Sequence, residues 1–209
     1  MQKIMKTLMA LVGNIIFTGC SIMGIRNSEA AAYTVILEYD NIQIRQYQPV
    51  LLAETEISAD YQRSGGIGFK RLAGYIFGEN IQKQKMPMTT PVYRQAVPEN
   101  LAMTLPVFQQ QSGDKWRMSF VMPSGFELTT LPEPIDSQVK IKQQPAKKMA
   151  CLRYSGRLDQ DSINENSRIL YDWLLQNHYR PISAPLSAAY DPPWTIPGLR
   201  RNEVHIEIE

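Results

Sequence analysis

The side chains that most often carry out enzyme chemistry are few in this 209-residue chain, and their spacing forms no known catalytic motif. His178 and His205 are the only histidines, and neither lies in an H-E-x-x-H pattern or beside a serine or cysteine suited to act as a nucleophile. His178 ends a predicted helix, where a cation suits the negative end of the helix dipole. His205 alternates with apolar residues in a final strand and is expected to face solvent. The sequence therefore predicts no enzyme, no catalytic residues and no metal site.

The two cysteines lie in different kinds of segment. Lys3 and Lys6 precede an uncharged apolar run over residues 8–17, which is too short to span a bilayer and has the layout of a secretory signal. Thr18-Gly19-Cys20 follows at once and resembles a bacterial lipobox, so Cys20 is the predicted lipidation site. Only Cys151 then remains, which allows no internal disulfide, and it is expected to be a small buried hydrophobic residue in a strand.

A group of apolar and basic residues between positions 69 and 88 suits a flat apolar ligand that carries carboxylates. The apolar members, on one face of a predicted helix and just after it, are Phe69, Leu72, Ile76, Met86 and Met88. Lys70, Arg71 and Lys85 are the nearby cations that could pair with carboxylates. Methionine adapts to large flat surfaces. The same helical spacing is also typical of an ordinary core, and the sequence leaves both interpretations open.

The segment YDPPWTIPGLRRNEV, residues 190–204, is predicted to be a stiff loop leading into a final strand. Pro192, Pro193 and Pro197 fix the backbone and remove amide donors, so the segment is neither a helix nor a central strand. It presents Tyr190 and Trp194, which form either a lid over a ligand or a hydrophobic cap over the core.

The strands and helices between these segments predict an α+β fold. Alternation over IQIRQYQP (42–49) and VKIKQQP (139–145) indicates two strands, each followed by an apolar strand and a helix. In the first helix the glycines at 65, 66 and 68 are expected to lead in and Gly78 to end it. A capping box at Ser162–Glu165 is expected to open the second helix. The repeated order predicts two β-β-α units forming one curved sheet, and 98–113 and 124–137 are predicted loops.

Four segments resemble the SOUL family of haem-binding proteins: GFKRLAGYIFGEN (68–80), MPMTTPV (86–92), FVMPS (120–124) and the loop at 190–204. The resemblance implies a distorted antiparallel β-barrel with two helices in pseudo-twofold arrangement, similar to the drug-binding domains of some bacterial regulators. It implies non-covalent binding of haem or a related tetrapyrrole, with the first helix against the ligand. Some relatives carry histidine directly before the tyrosine of an I-R-x-Y strand, where this chain has Gln46, so no axial ligand is assigned.

These observations give a specific set of expectations. The chain divides into a lipoprotein signal peptide (1–19), a linker (20–32) and a single SOUL-type domain (33–209), whose length suffices for one core. A net charge of +2 gives no case for nucleic acid. The expected protein is non-catalytic and anchored through Cys20 at the periplasmic face of the outer membrane. The alternative is a structural or interaction lipoprotein whose pocket is filled by its own side chains. The predicted haem-binding residues are Phe69, Arg71, Leu72, Ile76, Lys85, Met86, Met88 and Trp194.

Overall fold

A computed structural model describes residues 28–97 and 115–209 of the chain. The elements in these residues are β1 Tyr33–Tyr39, β2 Ile42–Tyr47, β3 Val50–Ser58, α1 Tyr61–Ile76, β4 Val92–Ala96, β5 Lys115–Val121, β6 Lys140–Gln144, β7 Lys147–Tyr154, α2 Gln160–Gln176, β8 Leu186–Ala189 and β9 Asn202–Glu207. A single 3-10 turn, Pro197–Leu199, lies between β8 and β9. The predicted signal peptide, its Cys20 and the predicted loop at 98–113 lie outside the described residues.

The strands form one curled half-barrel sheet in the order β1-β2-β7-β9-β8-β4-β5-β3-β6, and every strand pair in it is antiparallel. The predicted α+β class and the two β-β-α units, β2-β3-α1 and β6-β7-α2, are confirmed. The units exchange partners. The first strand of each pairs with the second strand of the other, so Ile42 lies opposite Leu152 and Val50 opposite Gln144. Neither unit could therefore form its part of the sheet alone.

Both helices pack on one face of the sheet. Helix α1 covers β3 and β5 through a buried cluster that contains Leu72, Ile76 and Phe120. Helix α2 covers β7 and β9 through a second cluster around Leu152 and Leu170. Strands β4 and β8 lie between the two covered regions in the strand order, and the helix-side face at this position is called the interhelix groove below. The opposite, concave face has its own buried cluster of aromatic and apolar residues.

The helix ends correct two predictions made from the sequence. Helix α1 begins at Tyr61, because the Asp60 side chain accepts a hydrogen bond from the Arg63 amide, so the glycines at 65, 66 and 68 lie inside the helix rather than before it. Gly78 has φ +111 directly after the α1 cap and ends the helix as expected. Helix α2 is capped by Asp159, which accepts from the Ser162 amide, rather than by the predicted box at 162–165.

Gly68 allows α1 to lie close to the sheet. A Cβ at this position would lie 2.9 Å from Cδ1 of Ile57 and 3.2 Å from the Met118 side chain. Neither helix of the described residues is long and apolar enough to cross a bilayer.

Candidate functional site

The predicted haem-contacting residues divide into a buried group and an exposed group. Leu72, Ile76 and Met86 are at most 3% exposed and belong to the core beneath α1, and Met88 packs partly buried against that core. Phe69 remains 42% exposed, with its ring edge-on to Phe120 at 5.4 Å between centroids. The apolar stripe of α1 is thus mainly core, and Phe69 is the member that offers apolar surface to a ligand.

Trp194 is 63% exposed at the tip of the proline-rich loop. The loop is fixed from both sides, since the Arg200 guanidinium donates to the Thr195 carbonyl at 2.7 Å and the Gly156 amide donates to the Pro197 carbonyl at 2.8 Å. The segment is therefore a braced loop that presents Trp194 outward. Tyr190, by contrast, points into the concave face and is 5% exposed.

The predicted cations of the rim are only partly available. Arg71 forms an ion pair with Asp136 at 3.1 Å and donates to the Thr55 hydroxyl at 2.7 Å, so its guanidinium already has partners. Lys85 is exposed, and its Cγ lies 3.7 Å from the position that a Cβ on Gly78 would occupy, at the C-terminal end of α1. Arg71 is thus a poor candidate for binding a carboxylate, and Lys85 lies at the end of α1 away from Tyr61.

A cation that the sequence analysis missed lies in the interhelix groove. The Arg94 guanidinium lies over the Tyr61 ring at 3.5 Å from its centroid and 5.9 Å from the centroid of Trp116. These two rings meet edge to face at 5.1 Å. Arg94 comes from β4, and the Ser187 hydroxyl of β8 donates to its backbone carbonyl at 3.0 Å. The alternation of Val92, Arg94 and Ala96 in β4 was the available signal, because it places the arginine on the helix-side face.

Arg94 uses few of its hydrogen-bond donors. Its guanidinium donates to the Tyr61 carbonyl at 3.2 Å, and no carboxylate of the described residues lies within ion-pair distance of it. Burial lowers the pKa of Arg94 to about 10. The Tyr154 hydroxyl is also buried and has no hydrogen-bond partner in the described part of the chain. The groove therefore contains a cation and a phenol with unused hydrogen-bonding capacity.

The concave face holds a buried polar network centred on Glu203. Its carboxylate accepts two hydrogen bonds from Arg45, at 2.6 and 3.1 Å, and two contacts from Arg201, at 2.8 and 2.6 Å. The Tyr190 hydroxyl donates at 3.0 Å, and Nε2 of His205 lies at 2.7 Å. Glu203 and His205 are both 0% exposed, so the expectation that His205 faces solvent is wrong. The alternating pattern predicted the strand that contains His205, but it did not indicate which face of that strand is covered.

The ionisation of this network follows from its contacts. Burial alone would raise the pKa of Glu203, but hydrogen bonds and charge from His205 and Arg45 hold it well below its usual range. Burial would lower the pKa of His205, whereas the neighbouring Cys151 sulfur and the Glu203 carboxylate raise it to about 9. Two guanidiniums and one carboxylate already leave a net positive charge here before the imidazole is counted.

Cys151, Glu203 and His205 bring ligand atoms within 4.8 Å of one another. Cys151 is fully buried as predicted and lies opposite His205 in the β7–β9 pair, and Nδ1 of His205 makes no hydrogen bond. A divalent cation here would meet a carboxylate that is already surrounded by donors and an environment that is already positive. The residues therefore do not fit a metal site.

The cavities lined by the described residues include two with different surroundings. The larger, about 360 Å³, opens between the 29–32 segment and the loop after β5, and the smaller, about 150 Å³, lies beside Arg71 and Asp136. The larger one has apolar walls that include Val50, Met122 and Phe126, and its charged lining residues are Glu29 and Glu127. Its size suits a small ligand, but its charge does not suit an anionic one.

Comparison with known proteins gives one family and a set of shared folds. The model of the SOUL heme-binding protein family matches residues 28–207. The crystal structure of the EcmrR C-terminal domain superposes with a TM-score of 0.58 at 11% identity, covering 85% of this chain and 98% of that one. The cryo-EM structure of an EcmrR–DNA complex superposes with a TM-score of 0.58 at 12% identity, covering 100% of this chain and 68% of that one. A crystal structure of a hydrolase from Listeria innocua superposes with a TM-score of 0.53 at 9% identity, covering 83% of this chain and 94% of that one. No curated protein matches the sequence. At these identities the solved structures show the fold alone.

Proposed function

The chain belongs to the SOUL heme-binding protein family, and from that premise we propose that it binds haem or a related tetrapyrrole non-covalently at the interhelix groove. The observation that carries the proposal is the combination of exposed apolar surface and an unpaired cation at one place. Phe69 lies one helical turn after Gly65, and the Arg94 guanidinium lies against Gly65. Apolar surface with a few well-placed polar groups is the usual composition of a small-molecule site.

The register of the sheet connects Phe69 to the Trp194 loop. Phe69 packs on Phe120, which lies opposite Val92 in β4, and Val92 lies opposite Ala189 at the end of β8. The loop starts directly after β8, so its first residues lie two strand spacings, ~10 Å, from the Phe69 contact. A flat ligand lying across β4 and β8 would contact Phe69 on one side and approach the start of the Trp194 loop on the other.

Charge favours the groove over the larger cavity. A tetrapyrrole such as haem carries two carboxylates, and the cavity of about 360 Å³ has Glu29 and Glu127 in its lining. Placing carboxylates there would bring like charges together. The groove instead has Arg94, with Lys70 exposed on α1.

The groove offers apolar surface for the flat ring of the ligand and a cation for its carboxylates, but no histidine to coordinate its iron. The two histidines of the chain lie elsewhere, His205 inside the concave network and His178 after the end of α2. We therefore propose retention by apolar contact and carboxylate pairing, without an imidazole from this chain, so that metal-free porphyrins also bind.

We propose binding rather than catalysis as the role. The thiol, imidazole and carboxylate of Cys151, His205 and Glu203 are each fully buried, and the carboxylate is held by two arginines. A substrate would find no exposed nucleophile or base in this cluster.

We also propose that the mature protein is a lipoprotein anchored through Cys20 at the periplasmic face of the outer membrane, with no nucleic-acid partner. The support is the Thr-Gly-Cys order after a short apolar run and the low net charge. Cys20→Ser should move the protein from the membrane fraction to the soluble fraction or leave the signal attached. A wild-type mature N-terminus at Tyr33 without lipid would contradict the anchor.

The alternative of a filled, non-binding barrel has one observation in its favour, because Tyr47, Tyr93 and Tyr190 occupy the concave face and are each at most 7% exposed. A titration with hemin, followed through its Soret absorbance band, distinguishes the binding hypothesis from this alternative. Phe69→Asp should weaken binding at least tenfold, since a carboxylate against the ring plane loses water without gaining a partner.

Ile169→Asp is the matched control. Ile169 is 46% exposed on α2, close to the 42% of Phe69, and should leave the titration unchanged. Circular dichroism checks that both variants are folded. The absence of hemin binding by the wild type, or equal effects of the two variants, would contradict the proposed site.

A further inference from the structure

Arg94 has an unusual environment for a largely covered arginine. Its guanidinium rests on the Tyr61 ring at 3.5 Å and makes one hydrogen bond, to the Tyr61 carbonyl. A guanidinium has five N–H donors in a fixed fork, so most of them remain available. Buried charges are ordinarily paired, and the cation–π contact orients this one without using its N–H edge.

The helix is shaped to admit the guanidinium. A Cβ at Gly65 would lie 2.5 Å from an Arg94 terminal nitrogen, whereas a Cβ at Gly66 would meet nothing within 4 Å. Glycine inside a helix is unfavourable relative to alanine. At position 65 the missing side chain leaves the space in which the guanidinium lies.

A second unused polar group lies near this cation. The Tyr154 hydroxyl is buried without a hydrogen-bond partner in the described residues. The sheet register places Tyr154 and Arg94 on the same face, since Tyr154 lies opposite Asn202, Asn202 opposite Ala189 and Ala189 opposite Val92, two residues before Arg94. Burial raises the pKa of Tyr154, an effect increased by Asp159 and opposed by the Arg94 guanidinium. The phenol stays protonated at neutral pH and can donate a hydrogen bond.

We propose that Arg94 and Tyr154 form the carboxylate-recognition subsite of the interhelix groove, with the guanidinium edge and the phenol hydroxyl donating to one carboxylate of the bound ligand. The proposal rests on the proposed function and names the residues that select for the acid form of the ligand. A planar carboxylate on a flat apolar body matches the two parts of the site, because a guanidinium fork pairs with carboxylate oxygens and the surrounding rings exclude water. On haem this group is a propionate.

The first arm of the test compares hemin with hemin dimethyl ester, in which both carboxylates are blocked. Wild-type protein should bind the acid about tenfold or more tightly than the ester, the size expected for hydrogen bonds to a charged group. Arg94→Met should remove that preference by weakening binding of the acid alone, and Tyr154→Phe should reduce it. Arg63→Met removes an exposed cation from the same end of α1 and should preserve the preference.

The second arm needs no tetrapyrrole. 3-Phenylpropionate and the uncharged 3-phenylpropanamide are titrated into the protein while the arginine Nε–H signals are followed by NMR, with the Arg94 signal assigned by its loss in Arg94→Lys. The acid should shift that signal and the amide should not. If hemin fails to bind but phenylpropionate shifts Arg94, the tetrapyrrole function is wrong and the carboxylate subsite stands. If hemin binds with the same acid preference in wild type and Arg94→Met, and phenylpropionate leaves Arg94 unchanged, the subsite is overturned and the function stands.

Gly65→Ala and Gly66→Ala refine the geometry. Both gain helix propensity, but only the first pushes against the Arg94 guanidinium. Gly65→Ala should reduce the acid preference several-fold and Gly66→Ala should leave it intact. Equal behaviour of the two variants would contradict the position given to the guanidinium.

Discussion

Arginines on the two faces of the sheet have opposite surroundings. On the concave face Arg45 makes a bidentate contact with Glu203 and also donates to Gln43 and Tyr47, so nearly all of its donors are used. In the interhelix groove Arg94 rests on the Tyr61 ring and makes a single hydrogen bond. Burial alone would lower the pKa of both. The Glu203 carboxylate raises the pKa of Arg45 instead, while that of Arg94 falls to about 10.

The difference in surroundings distinguishes an arginine that stabilises the fold, Arg45, from one that is available to bind a ligand, Arg94. A buried ion pair with every donor satisfied holds strands together, and removing one member leaves an uncompensated charge. A largely covered cation with unused donors contributes little to folding but can gain much from an anionic ligand. The network on the concave face therefore has the properties of a structural centre that joins β2 to β9. The interhelix groove has the properties of a binding site.

The largest effect is expected from Glu203→Gln. The amide leaves Arg45 and Arg201 buried beside each other without their carboxylate, which should lower the free energy of unfolding by about 3–5 kcal/mol. Urea denaturation at neutral pH measures it. Glu56→Gln, which removes one of the two acidic partners of Arg117 at an exposed position, is the control and should cost no more than about 1 kcal/mol. Similar losses in the two variants would mean that the network is not a structural centre.

His205 should make stability depend on pH within that network. Its folded pKa, about 9, lies above the unfolded value of ~6.5, so its contribution is complete below pH ~6.5 and is lost as the pH rises through 9. The difference between the two pKa values corresponds to at most about 3 kcal/mol.

His205→Gln keeps a donor for Glu203 but does not titrate, so it isolates this contribution. The loss of unfolding free energy between pH 6 and 9 should be smaller in the variant than in wild type, as measured by urea denaturation at each pH. Parallel pH profiles would contradict this, because they would show that folding does not shift the pKa of the imidazole.

How far the sequence predicted this molecule depends on the range of the interactions. The alternation in 42–49 and 139–145 predicted β2, β6 and the two β-β-α units, because strand periodicity is local. The start of α2 was missed because Asp159 and Ser162 are both acceptable N-cap residues. The start of α1 was missed because the glycines at 65, 66 and 68 are unfavourable inside a helix, which favours a later start. The Arg45–Glu203 contact joins residues 158 positions apart and left no local pattern. The core position of Leu72 and Ile76 could not be told from a ligand wall, since both interpretations require the same apolar stripe.

The two arginines can be compared directly by the same substitution. Arg45→Met should lower the free energy of unfolding by about 2 kcal/mol, because Glu203 loses two charge-assisted hydrogen bonds in the core. Arg94→Met should change it by less than about 1 kcal/mol, since the lost cation–π contact is offset by relief of a buried charge. Thermal and urea denaturation of the ligand-free variants provide the measurement. A larger loss for Arg94→Met than for Arg45→Met would reverse the assignment of the two faces.

Two tyrosines show the same contrast between a satisfied polar group in the concave network and an unsatisfied one in the groove, with smaller expected energies. Substitution by phenylalanine removes only the hydroxyl from each. Tyr190 donates to Glu203 at 3.0 Å, so Tyr190→Phe should cost about 1.5 kcal/mol, the value of a hydrogen bond to a charged acceptor. The Tyr154 hydroxyl is buried without a partner in the described residues, and Tyr154→Phe should be neutral or slightly stabilising, because an unsatisfied polar group is removed while the ring still packs. Urea denaturation of the two variants compares them, with identical m-values required for the comparison. A substantial loss for Tyr154→Phe in ligand-free protein would mean that its hydroxyl already serves the fold, and the groove would then lack the second donor that carboxylate recognition requires.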